Sequence, residues 1–148
     1  MLKSIQSIFS KLNEPETSLS HNELQQASAV LLVHAAYVDG TAAPEEMDTI
    51  KKLLSEKYNL SEEEITGLIK DAEEKEQHSA DLYSFTRILT SHLDQDGRKE
   101  IISMLWEIVL ADGIIDNYEE HLVRRVSELI GVSTRDRVML RKEVENRS

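Results

Sequence analysis

An acidic corner occurs twice in this chain and limits its possible folds more than any other feature. In each copy an apolar run ends at Asp-Gly, a short loop follows, and a glutamate stands seven positions after the aspartate. The pairs are Asp39 with Glu46 and Asp112 with Glu119, so the two aspartates lie 73 positions apart. Glycine often closes a helix in the left-handed conformation. Each corner is therefore predicted to join two helices.

The residues around the corners support a duplication of the whole helix-corner-helix unit. At the offset of 73, apolar residues pair with apolar residues: Leu31 with Met104, Leu32 with Leu105, Ile50 with Val123, and Leu53 with Val126. Apolar residues recur at helical spacing, and no stretch sustains the period-two alternation of a strand. We predict an all-α fold, a single helical bundle of about seven to eight helices with two pseudo-repeated units.

Capping patterns predict where most of these helices begin and end. Such signals are the capping boxes Ser20–Glu23 and Ser61–Glu64, Pro44 in a first turn, the N-caps Asp94, Asp116 and Ser133, and the C-cap Gly131. A further helix is predicted from about Asp81 to Leu93. The first corner has Thr41-Ala42-Ala43 where the second has the capping acid Asp116, so the two corners are not strictly equivalent.

The chain is predicted to have three segments. Residues 1–12 form a short basic amphipathic helix, with Lys3 and Lys11 as its charged side chains. One face of that helix carries Leu2, Ile5, Ile8, Phe9 and Leu12. Residues 13–19 are polar, contain Pro15 and suit a linker, and residues 20–148 form the helical domain. Five apolar residues make a weak membrane anchor, which favours packing of the first segment on its own domain or on a partner over peripheral membrane contact.

The composition excludes several classes of function. A formal charge of −11 disfavours a nucleic-acid partner, because a phosphate backbone would be repelled. The absence of cysteine excludes thiolate nucleophiles and Cys-based zinc sites, so a bound metal would have oxygen ligands, with or without imidazole. No segment approaches the length of a membrane span, and the N-terminus lacks the apolar core of a signal peptide. We expect a cytoplasmic protein.

The paired corners, together with Asp81–Arg87 and Glu119–Val126, resemble the TerB family of tellurite-resistance proteins, and in particular its uncharacterised bacterial branch. The resemblance extends over roughly Asn22 to Arg141. It implies an all-helical bundle with an internal repeat, a cytoplasmic location and a divalent cation, calcium being the first choice, bound by acidic residues. The acidic positions of the family carry over onto Asp39, Glu46, Asp112 and Glu119.

Two interpretations of these four carboxylates remain open from the residues. In the first, they converge on a cation, with help from the free carbonyl oxygens at the helix ends. Carboxylates about 6 Å apart would otherwise repel by roughly 3 kcal/mol per pair at an effective dielectric near 20. Convergence would then require a metal, protonated carboxyls or nearby cations such as Arg124 and Arg125.

In the second interpretation the corners are only helix caps. Asp116 to Glu119 has the spacing of a capping box, so Glu119 can accept a hydrogen bond from the Asp116 backbone N–H. Glu46 can do the same for the backbone N–H of Ala43. Neither corner is an EF-hand, because Ile114 stands at the third position and Val123 at the twelfth.

The other candidate residues are more simply explained by structure. A lone histidine on an apolar stripe, His34, suits a hydrogen-bonded core residue, whereas His121 could join a metal shell. Trp106 and Tyr37 are expected to pack in the interior. One basic concentration could bind an acidic partner or complement helix C-termini: Arg124, Arg125, Arg135, Arg137, Arg141 and Lys142.

The sequence contains no recognisable catalytic motif, so we predict a binding protein rather than an enzyme. The expected function is that of a TerB-like, stress-associated protein with an indirect role in resistance to tellurite or another stress. The alternative is a metal-independent module for protein interaction, a homo-oligomer or a membrane-peripheral scaffold.

Overall fold

The computed structural model describes residues 23–38, 40, 42–78, 82–111 and 113–147, and within these ranges it consists of α-helices and contains no strand. The helices are α1 (residues 23–37), α2 (Pro44–Tyr58), α3 (Glu62–His78), α4 (Tyr83–His92), α5 (Gln95–Val109), α6 (Asn117–Ile130) and α7 (Thr134–Arg147). The predicted all-α fold is confirmed. The N-terminal helix at residues 1–12, the linker at 13–19 and the cap at Ser20 lie outside the described residues.

The predicted helix caps are formed where the structure describes them. The backbone N–H of Gly97 donates to Asp94 Oδ1 at 2.9 Å, and Ser61 and Glu64 exchange hydrogen bonds of 3.2 and 3.1 Å as a capping box. Gly131 closes α6 with φ of 77°. The helix predicted from about Asp81 is shorter, since α4 begins at Tyr83.

The two units have the same helix order, α1-α2-α3 and α5-α6-α7, with α4 between them. Helices α2 and α6 begin 73 positions apart, but α3 and α7 begin 72 positions apart. The register therefore changes by one only towards the C-terminal end of α2, which has 15 residues where α6 has 14. The buried positions of α2 keep the offset of 73, since Glu46, Ile50 and Leu54 match the buried Glu119, Val123 and Ser127. The predicted partner of Val126, Leu53, is only half-buried.

The core is built around the first helix of each unit. Every side chain from Ala27 to Val33 is at most 1% exposed, so α1 is buried on all sides. Its counterpart α5 buries seven residues and packs against α2, α6 and α7. Trp106 of α5 is a core residue, as predicted, and its indole N–H donates to the carbonyl oxygen of Arg137 at 3.0 Å. In the part of the chain that is described, no helix is long and apolar enough to cross a membrane.

A candidate site at the two acidic corners

The same turn follows the first helix of each unit. The Gly40 N–H donates to the carbonyl oxygen of Tyr37 at 2.9 Å, and the Gly113 N–H donates to that of Leu110 at 3.0 Å. Both glycines have positive φ, 110° and 80°, as expected from the Asp-Gly pattern. The chain then reverses and starts α2 or α6. This turn places Glu46 and Glu119 in equivalent positions, in the first turn of the second helix.

In the first corner the glutamate also acts as the cap. Ala43, the N-cap of α2, has no side-chain acceptor, and Glu46 Oε1 accepts a hydrogen bond from the Ala43 backbone N–H at 3.4 Å. This confirms the predicted contact, although the distance is long for an N–H···O bond. The Glu46 side chain is only 4% exposed. A carboxyl group is therefore buried at the start of α2.

In the second corner the cap is a separate residue. Asp116 Oδ1 accepts a hydrogen bond from the Glu119 backbone N–H at 2.8 Å, which confirms Asp116 as the N-cap of α6. Glu119 is 3% exposed, and within the described residues its buried Oε2 has no hydrogen-bond partner. A buried carboxyl oxygen without a partner is energetically unfavourable. A ligand that contacts this oxygen would therefore gain the most binding free energy.

The two corners are close enough for their charges to interact. The pKa of Glu119 is raised to about 8, mainly by burial and then by the negative charges of Asp116 and Glu46. A hydrogen bond to the Asp116 side chain acts in the same direction, while the Asp116 backbone N–H lowers the pKa. The buried carboxyls in the first turns of α2 and α6 are thus coupled electrostatically.

The structure describes two of the four predicted site residues, Glu46 and Glu119, and buries both of them. Asp39 and Asp112 lie outside the described residues. Asp116 was expected only as a cap, but its carboxylate also raises the pKa of Glu119. The capping-box spacing was the available signal for this contact, because residues three apart at a helix start are in contact.

The cations considered from the sequence are not part of this arrangement. Arg124 and Arg125 are exposed, and among the described residues neither is a cause of the Glu119 pKa shift. His121 is also exposed and lines a surface cleft of about 330 Å³ with Asn117, Glu120 and Arg124. His34 is half-buried within α1. The raised pKa of Glu119 therefore lowers the charge repulsion at the corners without a neighbouring arginine.

The described carboxyls at the corners have the chemistry that a hard divalent cation requires. Within the described ranges, however, they do not make a complete set of metal ligands. There, no group of three or more potential metal-binding side chains is present. Glu46 and Glu119 supply carboxyl oxygens, the ligand type that calcium and magnesium prefer. Asp39 and Asp112 precede the two turn glycines and would have to complete the shell.

Comparison with known proteins identifies the family. No curated protein matches the chain. Among solved structures, the crystal structure of a protein of unknown function from Porphyromonas gingivalis W83 has the same fold, with a TM-score of 0.63 and 18% identity over 84% of this chain and 95% of that one. A family model described as tellurite resistance protein TerB matches residues 25–142. Because that match spans most of the described helices, the chain belongs to the TerB family.

Proposed function

We propose that this TerB protein binds a divalent cation, with calcium as the first candidate, through Glu46 and Glu119 together with Asp39 and Asp112. The observation that carries the proposal is the buried Oε2 of Glu119, which has no hydrogen-bond partner in the described ranges and belongs to a carboxyl whose pKa is raised in part by the charge of the buried Glu46. A cation would neutralise charges that burial makes unfavourable.

The proton on Glu119 gives the proposed site a pH dependence. With a pKa of about 8, Glu119 is mostly protonated at neutral pH in the metal-free protein. A carboxylate that binds a cation must release this proton, so binding and protonation compete. We expect affinity for the cation to rise as the pH increases towards 8 and to level off above it.

We further propose that the protein acts without catalysis, in the cytoplasm, and contributes indirectly to resistance to tellurite or another stress. The lack of cysteine supports an indirect role, because the chain has no thiolate that could capture or reduce tellurite. A cation-dependent change at the corners would instead alter how the first turns of α2 and α6 are held together.

Calorimetric titration of the metal-free protein with calcium, magnesium and manganese tests the proposal. Glu119→Gln and the double variant Asp39→Asn/Asp112→Asn should abolish or strongly weaken binding. Glu45→Gln is the matched control, since Glu45 precedes Glu46 in α2 but is exposed. Absence of heat in the wild type, or equal heat in all variants, would contradict cation binding at the corners.

A metal-independent interaction module is the second candidate, and one observation favours it. Ile114 and Tyr118, at the second corner, are 71% and 69% exposed, which is unusual for adjacent large apolar side chains. This function would make the protein a homo-oligomer, a partner-binding protein or a membrane-peripheral scaffold. Deletion of residues 1–12 should then change the oligomer size in light scattering or the association with liposomes.

A further inference from the structure

The last residue of α1 contacts both the first corner and α3. The carbonyl oxygen of Tyr37 accepts the hydrogen bond from the Gly40 N–H that closes the turn, at 2.9 Å. The hydroxyl of the same residue donates to Glu73 Oε2 in α3 at 2.8 Å, a distance typical of a well-formed O–H···O bond. Tyr37 therefore joins the turn of the first corner directly to the third helix of its unit.

The second unit cannot form this connection through the equivalent side chain. At the offset of 73, Leu110 stands in the place of Tyr37, and its carbonyl oxygen likewise accepts the Gly113 N–H, at 3.0 Å. A leucine side chain has no group that donates or accepts a hydrogen bond. Helix α7 is held to α5 from a different position, where the Trp106 indole N–H donates to the carbonyl oxygen of Arg137.

The C-terminal part of α3 has few apolar contacts. Among the side chains of α3 that the structure describes, the last buried one is Ala72, and residues 73–78 are all polar or charged. Two hydrogen bonds to α1 hold this part, from Tyr37 to Glu73 and from Lys75 to Gln26. Segments with little buried apolar surface open locally at a low cost in free energy. The bond from Tyr37 is thus one of the contacts that order this end of α3.

We propose that Tyr37 makes the turn of the first corner and the C-terminal part of α3 open and close as one local unit, whereas the second corner opens independently of α7. Loss of the acceptor in α3 releases the Tyr37 side chain, and movement of Tyr37 displaces the carbonyl oxygen to which Gly40 donates. The link exists without a ligand, so it does not depend on the cation proposal. A ligand that orders the first corner would, through this link, also order the end of α3.

Exchange of backbone amide protons with water tests the link in the full chain, measured by magnetisation-transfer NMR in chelator. Glu73→Ala removes the acceptor in α3 and should accelerate exchange of the Gly40 amide by about threefold to tenfold, the effect of losing one hydrogen bond. Tyr37→Phe should have the same effect. The double variant should exchange no faster than either single variant, because both remove the same bond. Glu73→Gln keeps an acceptor oxygen and should preserve most of the protection.

The matched control is Tyr58→Phe, the same substitution in the same unit, where the Tyr58 hydroxyl is hydrogen-bonded to Ser28 at 2.7 Å. It should leave exchange at Gly40 unchanged. Unchanged exchange at Gly40 in Glu73→Ala would overturn the proposal, since the bond would then be only a local contact of α3. Equal acceleration at Gly40 and Gly113 would also overturn it, because it would indicate a general loss of stability. Since no divalent ion is present, each result leaves the cation proposal to its own titration.

Discussion

The two corners share a turn and a buried glutamate but differ in the side chain at the N-cap. In the first, Glu46 Oε1 accepts a hydrogen bond from the Ala43 N–H because the N-cap has no acceptor of its own. In the second, the N-cap Asp116 supplies its own acceptor for the Glu119 N–H, and the Asp116 backbone N–H also interacts with the Glu119 carboxyl. A repeated sequence pattern can therefore keep its geometry while its chemistry diverges.

The largest expected effect concerns the proton on Glu119. The pKa is about 8 in the folded protein and near 4.5 in the unfolded chain, so between these values only the folded state binds the proton. Stability is therefore lost as the pH rises from about 4.5 to 8, by at most about 5 kcal/mol for a shift of this size. Glu119→Gln should remove this contribution, as measured by urea unfolding at a series of pH values in chelator.

The matched control for that experiment is Glu45→Gln, which changes the charge equally at an exposed position beside Glu46. Its stability should follow the wild-type pH dependence. If both variants and the wild type share one profile, Glu119 is not the group that holds the proton. The two corners would then no longer have the main chemical difference that we infer between them.

Local signals in the sequence account for most of the fold. Pro44, Asp116 and Gly131 mark helix ends because capping depends on residues within one turn. The extra residue at the C-terminal end of α2 could not be predicted in this way, since an extra residue in a helix leaves no local signal. It is visible in the C-caps Asn59 and Gly131, which lie 72 rather than 73 positions apart.

The candidate site was predictable as a set of residues but not as an environment. The spacing of the repeat identified Glu46 and Glu119, whereas their burial depends on tertiary packing, in which α2 and α6 both contact α5. The pKa of Glu119 likewise depends first on that burial. The exposure of His121 could not be predicted for the same reason. The helical period alone does not say which side of α6 faces the other corner.

Exchanging the caps should make the two corners more alike. Asp116→Ala removes the acceptor for the Glu119 N–H and should destabilise the protein by about 1–2 kcal/mol. Ala43→Ser supplies the missing acceptor for the Glu46 N–H and should stabilise it by about 0.5–1 kcal/mol. Both are best measured by thermal or urea unfolding near pH 6, where Glu119 is protonated and loss of the Asp116 charge matters least. An unchanged stability in Ala43→Ser would mean that Glu46 already satisfies the start of α2.

The turn glycines should differ in their tolerance of a side chain. No atom lies within 4 Å of a Cβ added at Gly40 or Gly113, so backbone strain rather than crowding decides the effect. Gly113→Ala should cost roughly 1 kcal/mol, since its φ of 80° is near the left-handed region. Gly40→Ala should cost more, because its φ of 110° lies further from that region. Equal losses in urea unfolding would contradict this difference.

The smallest effect is expected at the other end of α2 and α6, where two serines hold equivalent positions. The carbonyl oxygens of Ser55 and Ser127 accept hydrogen bonds from the Leu60 and Val132 N–H groups, at 3.3 and 2.8 Å. The Ser55 hydroxyl donates to the carbonyl oxygen of Leu60 at 3.1 Å, so Ser55→Ala should cost about 0.5–1 kcal/mol.

The hydroxyl of Ser127 is buried and has no partner within the part of the chain that is described. Ser127→Ala should therefore be neutral or stabilising by up to about 1 kcal/mol, because it removes a buried polar group that makes no hydrogen bond. Differential scanning calorimetry of the two variants should give shifts of opposite sign, or a shift for Ser55→Ala alone. Equal destabilisation would instead indicate a buried water on Ser127, and the C-terminal ends of α2 and α6 would then be alike where their N-terminal corners are not.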